Sequence, residues 1–322
     1  MVVIDTNPSK QRTLAAEEQV DQEIGSGDFF GTTSGQGSQI WHFDGNKAVR
    51  VGIPNPDHRS MATLAKGESL RKALERIPMF DKVSFVLHRM ELPPGAYYPR
   101  MARPNDQHPR EAPGMLPNFW NSADIIASSL NQMRSFVGML DNIFQSVQPV
   151  DENMNCFGNA IRNLLILAST ECEAQWKGVL SANEYTPDRP NTSDFVKLAS
   201  VMRLPEYSVK LQHYPWLDAV APFKAWDAGA PTKSIFWYDN YNAAKHDREQ
   251  SFQKSNVSSA INAVSAVWIL IAAQFGIHAL REFPDLNRYF HLETVPLWRY
   301  SEVYTIEYQD FDAGNGPVAY PF

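Results

Sequence analysis

Ala263–Phe275 is the most apolar stretch of the chain, with Ser265 and Gln274 as its polar members and no charged residue. It is shorter than the roughly 20 residues that cross a bilayer, so it reads as part of a buried helix over about Asn256 to Phe283. Four other stretches read as helices. Ile125, Ile126, Leu130, Met133, Phe136, Val137, Leu140, Ile143, Phe144 and Val147 keep a 3.6-residue period that starts near Asn121-Ser122 and stops at Pro149. A second helix runs from about Asn155 to Leu180 on Phe157, Ile161, Leu164, Leu165, Leu167, Ala168, Cys172, Trp176 and Val179. Thr192-Ser193-Asp194 caps a third over Phe195 to Met202, and a fourth covers roughly Ser234 to Gln253. Each must bury its apolar stripe against a neighbour, so the expected fold class is mainly α, an antiparallel helical bundle over residues 119–288.

The remainder divides into three. Residues 1–39 read as a flexible segment, with a short polar helix at Gln11 to Ile24 and then the clusters Gly25-Ser26-Gly27 and Gly31 to Gly37. Residues 40–118 read as a small α/β region. Ile40 to Phe43 and Ala48 to Ile53 flank the turn pair Asp44-Gly45, Met61 to Ile77 has helical spacing, and Lys82 to Met90 reads as a strand. The region ends in a Pro-rich connector, with seven prolines between 93 and 118. Residues 289–322 form a tail with strand-like pieces at Tyr289 to Val295 and Val303 to Tyr308.

Composition narrows the function classes. Hydrophobic residues make up 43% of the 322, which excludes global disorder. A formal charge of −7 argues against general coating of nucleic acid, while a local basic patch stays open. Cys156 and Cys172 lie in one helical stretch and read as reduced core residues. His42, His88, His108, His213, His278 and His291 show no ligand spacing, and no Gly-rich loop ends in Gly-Lys-Ser/Thr, so neither a metal nor a cofactor is expected. No signal peptide is visible at the first residues, so the cytoplasm is the expected location and no membrane partner is expected.

The chemistry-bearing cluster is Tyr241-Asn242-Ala243-Ala244-Lys245-His246-Asp247-Arg248 on the fourth helix. Asn242 and His246 are four apart and share a face; Lys245 and Arg248 form an adjoining cationic strip; Trp237 and Tyr241 line a third strip that packs inward. Imidazole exchanges a proton near neutral pH, a carboxamide orients it or binds a phosphate oxygen, and cations stabilise developing phosphoryl charge. That set suits metal-independent cleavage of RNA. On the second helix, Glu171 and Glu173 fall within an apolar run. Glu171, four after Leu167, is the one expected to reach across to His246 or Lys245. Arg103-Pro-Asn-Asp-Gln-His108 also fits Arg-x4-His, but its prolines prevent a helix from presenting both ends on one face.

The pattern Trp237-x3-Tyr241-Asn242-x2-Lys245-His246-Asp247-Arg248, followed by Phe252 and a long apolar helix, resembles the C-terminal helices of HEPN-like domains, as does the preceding helix Arg162 to Lys177. The resemblance covers roughly residues 121–283. It implies an all-helical bundle of the kind found in bacterial defence and toxin–antitoxin systems, often a metal-independent ribonuclease that dimerises with both motifs facing one cleft. By position, Asn242 matches the family's polar residue and His246 its histidine, while Tyr241 stands where the family carries arginine. Two readings follow. In the first, the chain is an endoribonuclease with His246 as general acid/base, Asn242 orienting it, and Lys245 or Arg248 supplying charge. In the second, it is a non-catalytic regulator that binds RNA, a nucleotide or a partner through the same face. Either way the resemblance implies a homodimer and an antitoxin or regulatory protein partner.

Overall fold

The computed structural model describes residues 20–34, 37–103, 123–280, 283–305 and 316–322. β1 (Phe29–Ser34), β2 (Gly37–Phe43), β3 (Lys47–Arg50) and β4 (Met61–Thr63) follow one another as an antiparallel meander. After α1 (Leu70–Glu75), β5 (Phe85–Arg89) pairs with β1 on its free side, giving the sheet order β4-β3-β2-β1-β5. Side chains alternate across the strands. Phe30, Trp41, Phe43, Phe85 and Leu87 bury against Ala73 and Leu74 of α1. Ile40, Val51 and Met90 bury on the opposite face against Tyr300 from the C-terminal tail. A Cβ at Gly31 would sit 2.0 Å from a ring carbon of Tyr300, so the close approach of tail to strand requires glycine there.

β6 (Ala96–Tyr97) leads toward the helical part: α2 (Ala123–Phe144), α3 (Asn159–Ala182), α4 (Thr192–Phe195), α5 (Lys197–Val201), β7 (Ser208–Leu211), α6 (Phe236–His246), α7 (Arg248–Ser251), α8 (Val257–Phe275), α9 (Ile277–Leu280) and α10 (Pro284–Tyr289). β8 (Phe290–Thr294) then pairs antiparallel with β7, and β9 (Gly316–Pro317) pairs parallel with β6. The axis of this half is α8, in which every residue but Ser258 is buried. Asn256 caps its start by accepting from Ser259 N at 2.9 Å, and Gly276, with φ 80°, ends it. α8 is the one described helix long and apolar enough to cross a membrane, and its most apolar window is 94% buried inside the protein. α2, α3 and α6 lie against it together with β7 and β8.

This architecture corrects the expected fold class. The chain is not a mainly helical antiparallel bundle with a minor α/β appendage. It combines a five-stranded antiparallel sheet with a layer of helices, and the tail is part of both. Helical periodicity is local and visible, whereas the sheet rests on pairings between distant residues. Three boundaries shift for related reasons. Phe29–Ser34, assigned to a flexible segment on its Gly, Thr and Ser content, is the inner strand β1. Met61 to Ile77 begins as strand, and only Leu70–Glu75 is helical, started by Ser69. Val303–Thr305 is not strand. The segment Gln11 to Gln19, the connector from 104 to 122 with His108, and residues 306–308 lie outside the described residues.

Candidate functional site

α6 contains the cluster picked out by spacing, and its first two turns are committed to the fold. Trp237, Tyr238, Tyr241 and Ala244 are buried. The Trp237 indole donates to Pro222 O at 3.0 Å, and its ring lies beside Trp176 of α3 and Phe223. The Tyr238 hydroxyl donates to Glu173 Oε1 at 2.7 Å; burial, then Glu173, pushes its phenol far above the ordinary range. Tyr241 is fully enclosed, and its hydroxyl accepts from Lys245 Nζ at 2.9 Å. That bond, ahead of the field of Glu173, holds the Lys245 ammonium above its usual value. Asn240 anchors α6 to α8 by donating to Ser259 Oγ at 2.9 Å. Trp237 and Tyr241 therefore act as packing residues, with Tyr241 also seating the lysine.

The last turn of α6 is different. His246 and Lys245 are exposed and Asn242 is half-buried. Among the described residues, neither Asn242 nor His246 has a hydrogen-bond partner for its side chain. The expected continuous helix to Gln253 breaks at Asp247, whose backbone takes φ −137° and ψ 78°. Its carboxylate accepts from Gln250 N at 3.2 Å and so starts α7. Arg248 consequently belongs to a new helix, and the three-residue spacing that joined it to Lys245 in one strip no longer applies.

Two expectations about neighbours also change. Glu173, not Glu171, faces α6. Leu167, which marked the apolar side in the sequence, is itself 47% exposed, so counting from it turned the helix the wrong way. The residue missed altogether is Arg162 in the first turn of α3. Its Nη2 donates to Ala244 O of α6 at 3.4 Å, while its Nε is buried with no partner among the described residues. The carbonyls of a helix's last turn carry the negative end of its dipole, and the guanidinium covers one of them. The only sequence signal for this was a cation at the start of a neighbouring helix.

Compared with family models, with curated proteins and with solved structures, the chain matches none of them. The site is therefore read from its own geometry. Just before α3, Phe157 is 52% exposed and meets Phe252 edge-on at 5.6 Å, where α7 gives way to the start of α8. Val257 N to Cys156 O and Ser258 N to Met154 O, at 2.9 and 3.0 Å, fasten these segments together. Arg162, Lys245 and His246 thus lie at the same end of α6 and α3 as the exposed Phe157, which is backed by the half-buried Phe252. Cationic side chains are groups that can pair with phosphate, and an aromatic face is one on which a base can stack.

Proposed function

We propose that the edge where the end of α6 meets the start of α3 binds single-stranded RNA or a nucleotide. Phosphate is held by Arg162, Lys245 and His246, and a base stacks on Phe157. The observation that carries this reading is Arg162. It brings to the last turn of α6 the guanidinium that Tyr241 does not supply; Nη2 holds Ala244 O and Nε is buried, which leaves Nη1 without a bond to any described residue. A single strand suits the edge better than a duplex. The chain carries a net −7, which opposes extended backbone binding, and stacking needs an unpaired base. The HEPN-like pattern read in the sequence from Trp237 to Arg248 implies the same ligand class.

Cleavage is a second reading, favoured by Asn242 and His246 standing one turn apart with side chains not engaged by the fold. The 2′-oxygen would attack the adjacent phosphorus as the 5′-oxygen leaves, with His246 moving a proton and no metal involved. A general base needs a group that orients it. In this reading, bound RNA or the second copy in a homodimer supplies that orientation.

The test is fluorescence anisotropy of a labelled single-stranded oligoribonucleotide across a salt series, with Phe157→Ala beside the wild type. The expected affinity falls as salt rises, with a logarithmic slope of about −0.7 for each phosphate contact. Phe157→Ala should weaken binding by about 1–3 kcal/mol. Wild-type protein that does not bind at low salt rejects the proposal. The same oligonucleotide kept in EDTA with wild-type protein and with His246→Ala decides between binding and cleavage.

A further inference from the structure

A second site lies on another stretch of α3. Glu171 is nine residues beyond Arg162, roughly 13 Å along the helix. Facing it is Arg100, whose backbone is left-handed with φ 55°, a conformation disfavoured for any residue with a Cβ. The segment around it is held in place on both sides. Pro99 O accepts from Asn183 Nδ2 at 2.8 Å, and Ala102 N donates to Ala273 O at 2.8 Å. The guanidinium lies against Gly178, where a Cβ would come within 2.0 Å of Nη1.

From Arg100 a relay of amides crosses the core. Arg100 Nε donates to Gln274 Oε1 at 2.8 Å. Gln274 Nε2 donates to Gln175 Oε1, and Gln175 Nε2 to Glu171 Oε1, each at 2.9 Å. Both glutamines are buried, so the relay fixes its two charged ends. Those ends do not meet: Arg100 forms no ion pair and its Nη groups no hydrogen bond with any described residue. Burial draws the Arg100 guanidinium below its ordinary value, and the field of Glu171 only partly opposes this. Between the ends is an open cleft of about 320 Å³, with Asp124 and Ser128 of α2 on one wall and Ile125 and Ala174 as its apolar surface.

We propose that this cleft binds a small zwitterion, an α-amino acid with a compact side chain. Its carboxylate pairs with Arg100, its ammonium with Glu171, and its side chain rests on Ile125 and Ala174. A guanidinium whose Nη groups hold no bond to a described residue has donors left for a carboxylate. Two carboxylates in the lining disfavour a phosphate dianion and give a ligand ammonium somewhere to go. The volume is at the small end of ligand sites. This site does not depend on RNA binding at the α6 edge.

The experiment is equilibrium dialysis of the full chain with labelled L-alanine, with acetate, methylammonium and inorganic phosphate as competitors, and a thermal melt of each variant. L-Alanine should bind saturably, and each competitor should be at least about tenfold weaker, since each lacks one charge-assisted contact. Ala174→Leu fills the cleft from an exposed position and should abolish binding with no change in melting temperature. Glu171→Gln can still accept from Gln175 and should weaken L-alanine about tenfold while improving acetate. If L-alanine shows no saturable binding, if Ala174→Leu binds as the wild type does, or if phosphate competes as well as L-alanine, the proposal is wrong.

Discussion

The two aspects of α6 differ in what their side chains are tied to. On its inner aspect, Trp237, Tyr238 and Tyr241 each have a fixed partner, namely Pro222 O, Glu173 and Lys245. At its outer end, Asn242 and His246 have none among the described residues, and Arg162 is held only by its one long bond to Ala244 O. Removing a tied group costs stability; removing a free one does not. The difference teaches that the helix holds the fold with one aspect and presents chemistry with the other. Substitutions should therefore divide into two classes with little overlap.

The largest effect expected is for Tyr241→Arg. In a domain whose motif helix had an exposed position there, arginine would add a cation to the site. Here the position is fully enclosed, packed beside Tyr238 and in contact with Lys245, so a second cation would be buried next to the ammonium that Tyr241 now seats. Urea unfolding should show a loss of about 4 kcal/mol or more. A variant as stable as the wild type, with stronger RNA binding, would put Tyr241 in the functional class and break the division.

Tyr238→Phe should cost less, about 1–2 kcal/mol, because Glu173 loses its donor. It also carries a pH signature. The folded phenol is held well above its ordinary value near 10, so the stability it contributes is complete below that pH and is lost as pH rises past it. Above about pH 10 the wild type should lose roughly 1.4 kcal/mol more per pH unit than Tyr238→Phe. Parallel alkaline stability curves for the two proteins would mean that the Tyr238 phenol is not held in the way its burial implies.

What was legible in the sequence follows the range of the forces involved. α2, α3 and α8 show because each writes its buried face into neighbouring residues at 3.6 spacing. β1 does not, since Phe29–Ser34 becomes a strand only through β2 and β5, and its Gly31 answers to Tyr300 at the far end of the chain. At the site, the shared face of Asn242 and His246 could be counted along one helix. The break after His246 was signalled by Asp247, a good cap residue, but the charged run around it read as continuous helix. Arg162 and Glu173 reach the site from α3, and no spacing along α6 could indicate them. Arg100 sat among the prolines of a connector, and its setting depends on Gln175, Gly178 and Gln274, which are brought together only by packing.

The smallest effect on stability should fall on His246, and the largest loss of binding on His246 and Arg162. The direct measurement is a paired one on Arg162→Ala and His246→Ala: affinity for a labelled single-stranded oligoribonucleotide, and the unfolding free energy of the same preparation. If the outer end of α6 is a binding edge separate from the fold, each variant should bind at least about tenfold more weakly, His246→Ala with wild-type stability and Arg162→Ala with a loss of no more than about 1 kcal/mol for its one bond to Ala244 O. Variants that bind RNA as the wild type does, or that lose binding only in proportion to lost stability, would contradict it.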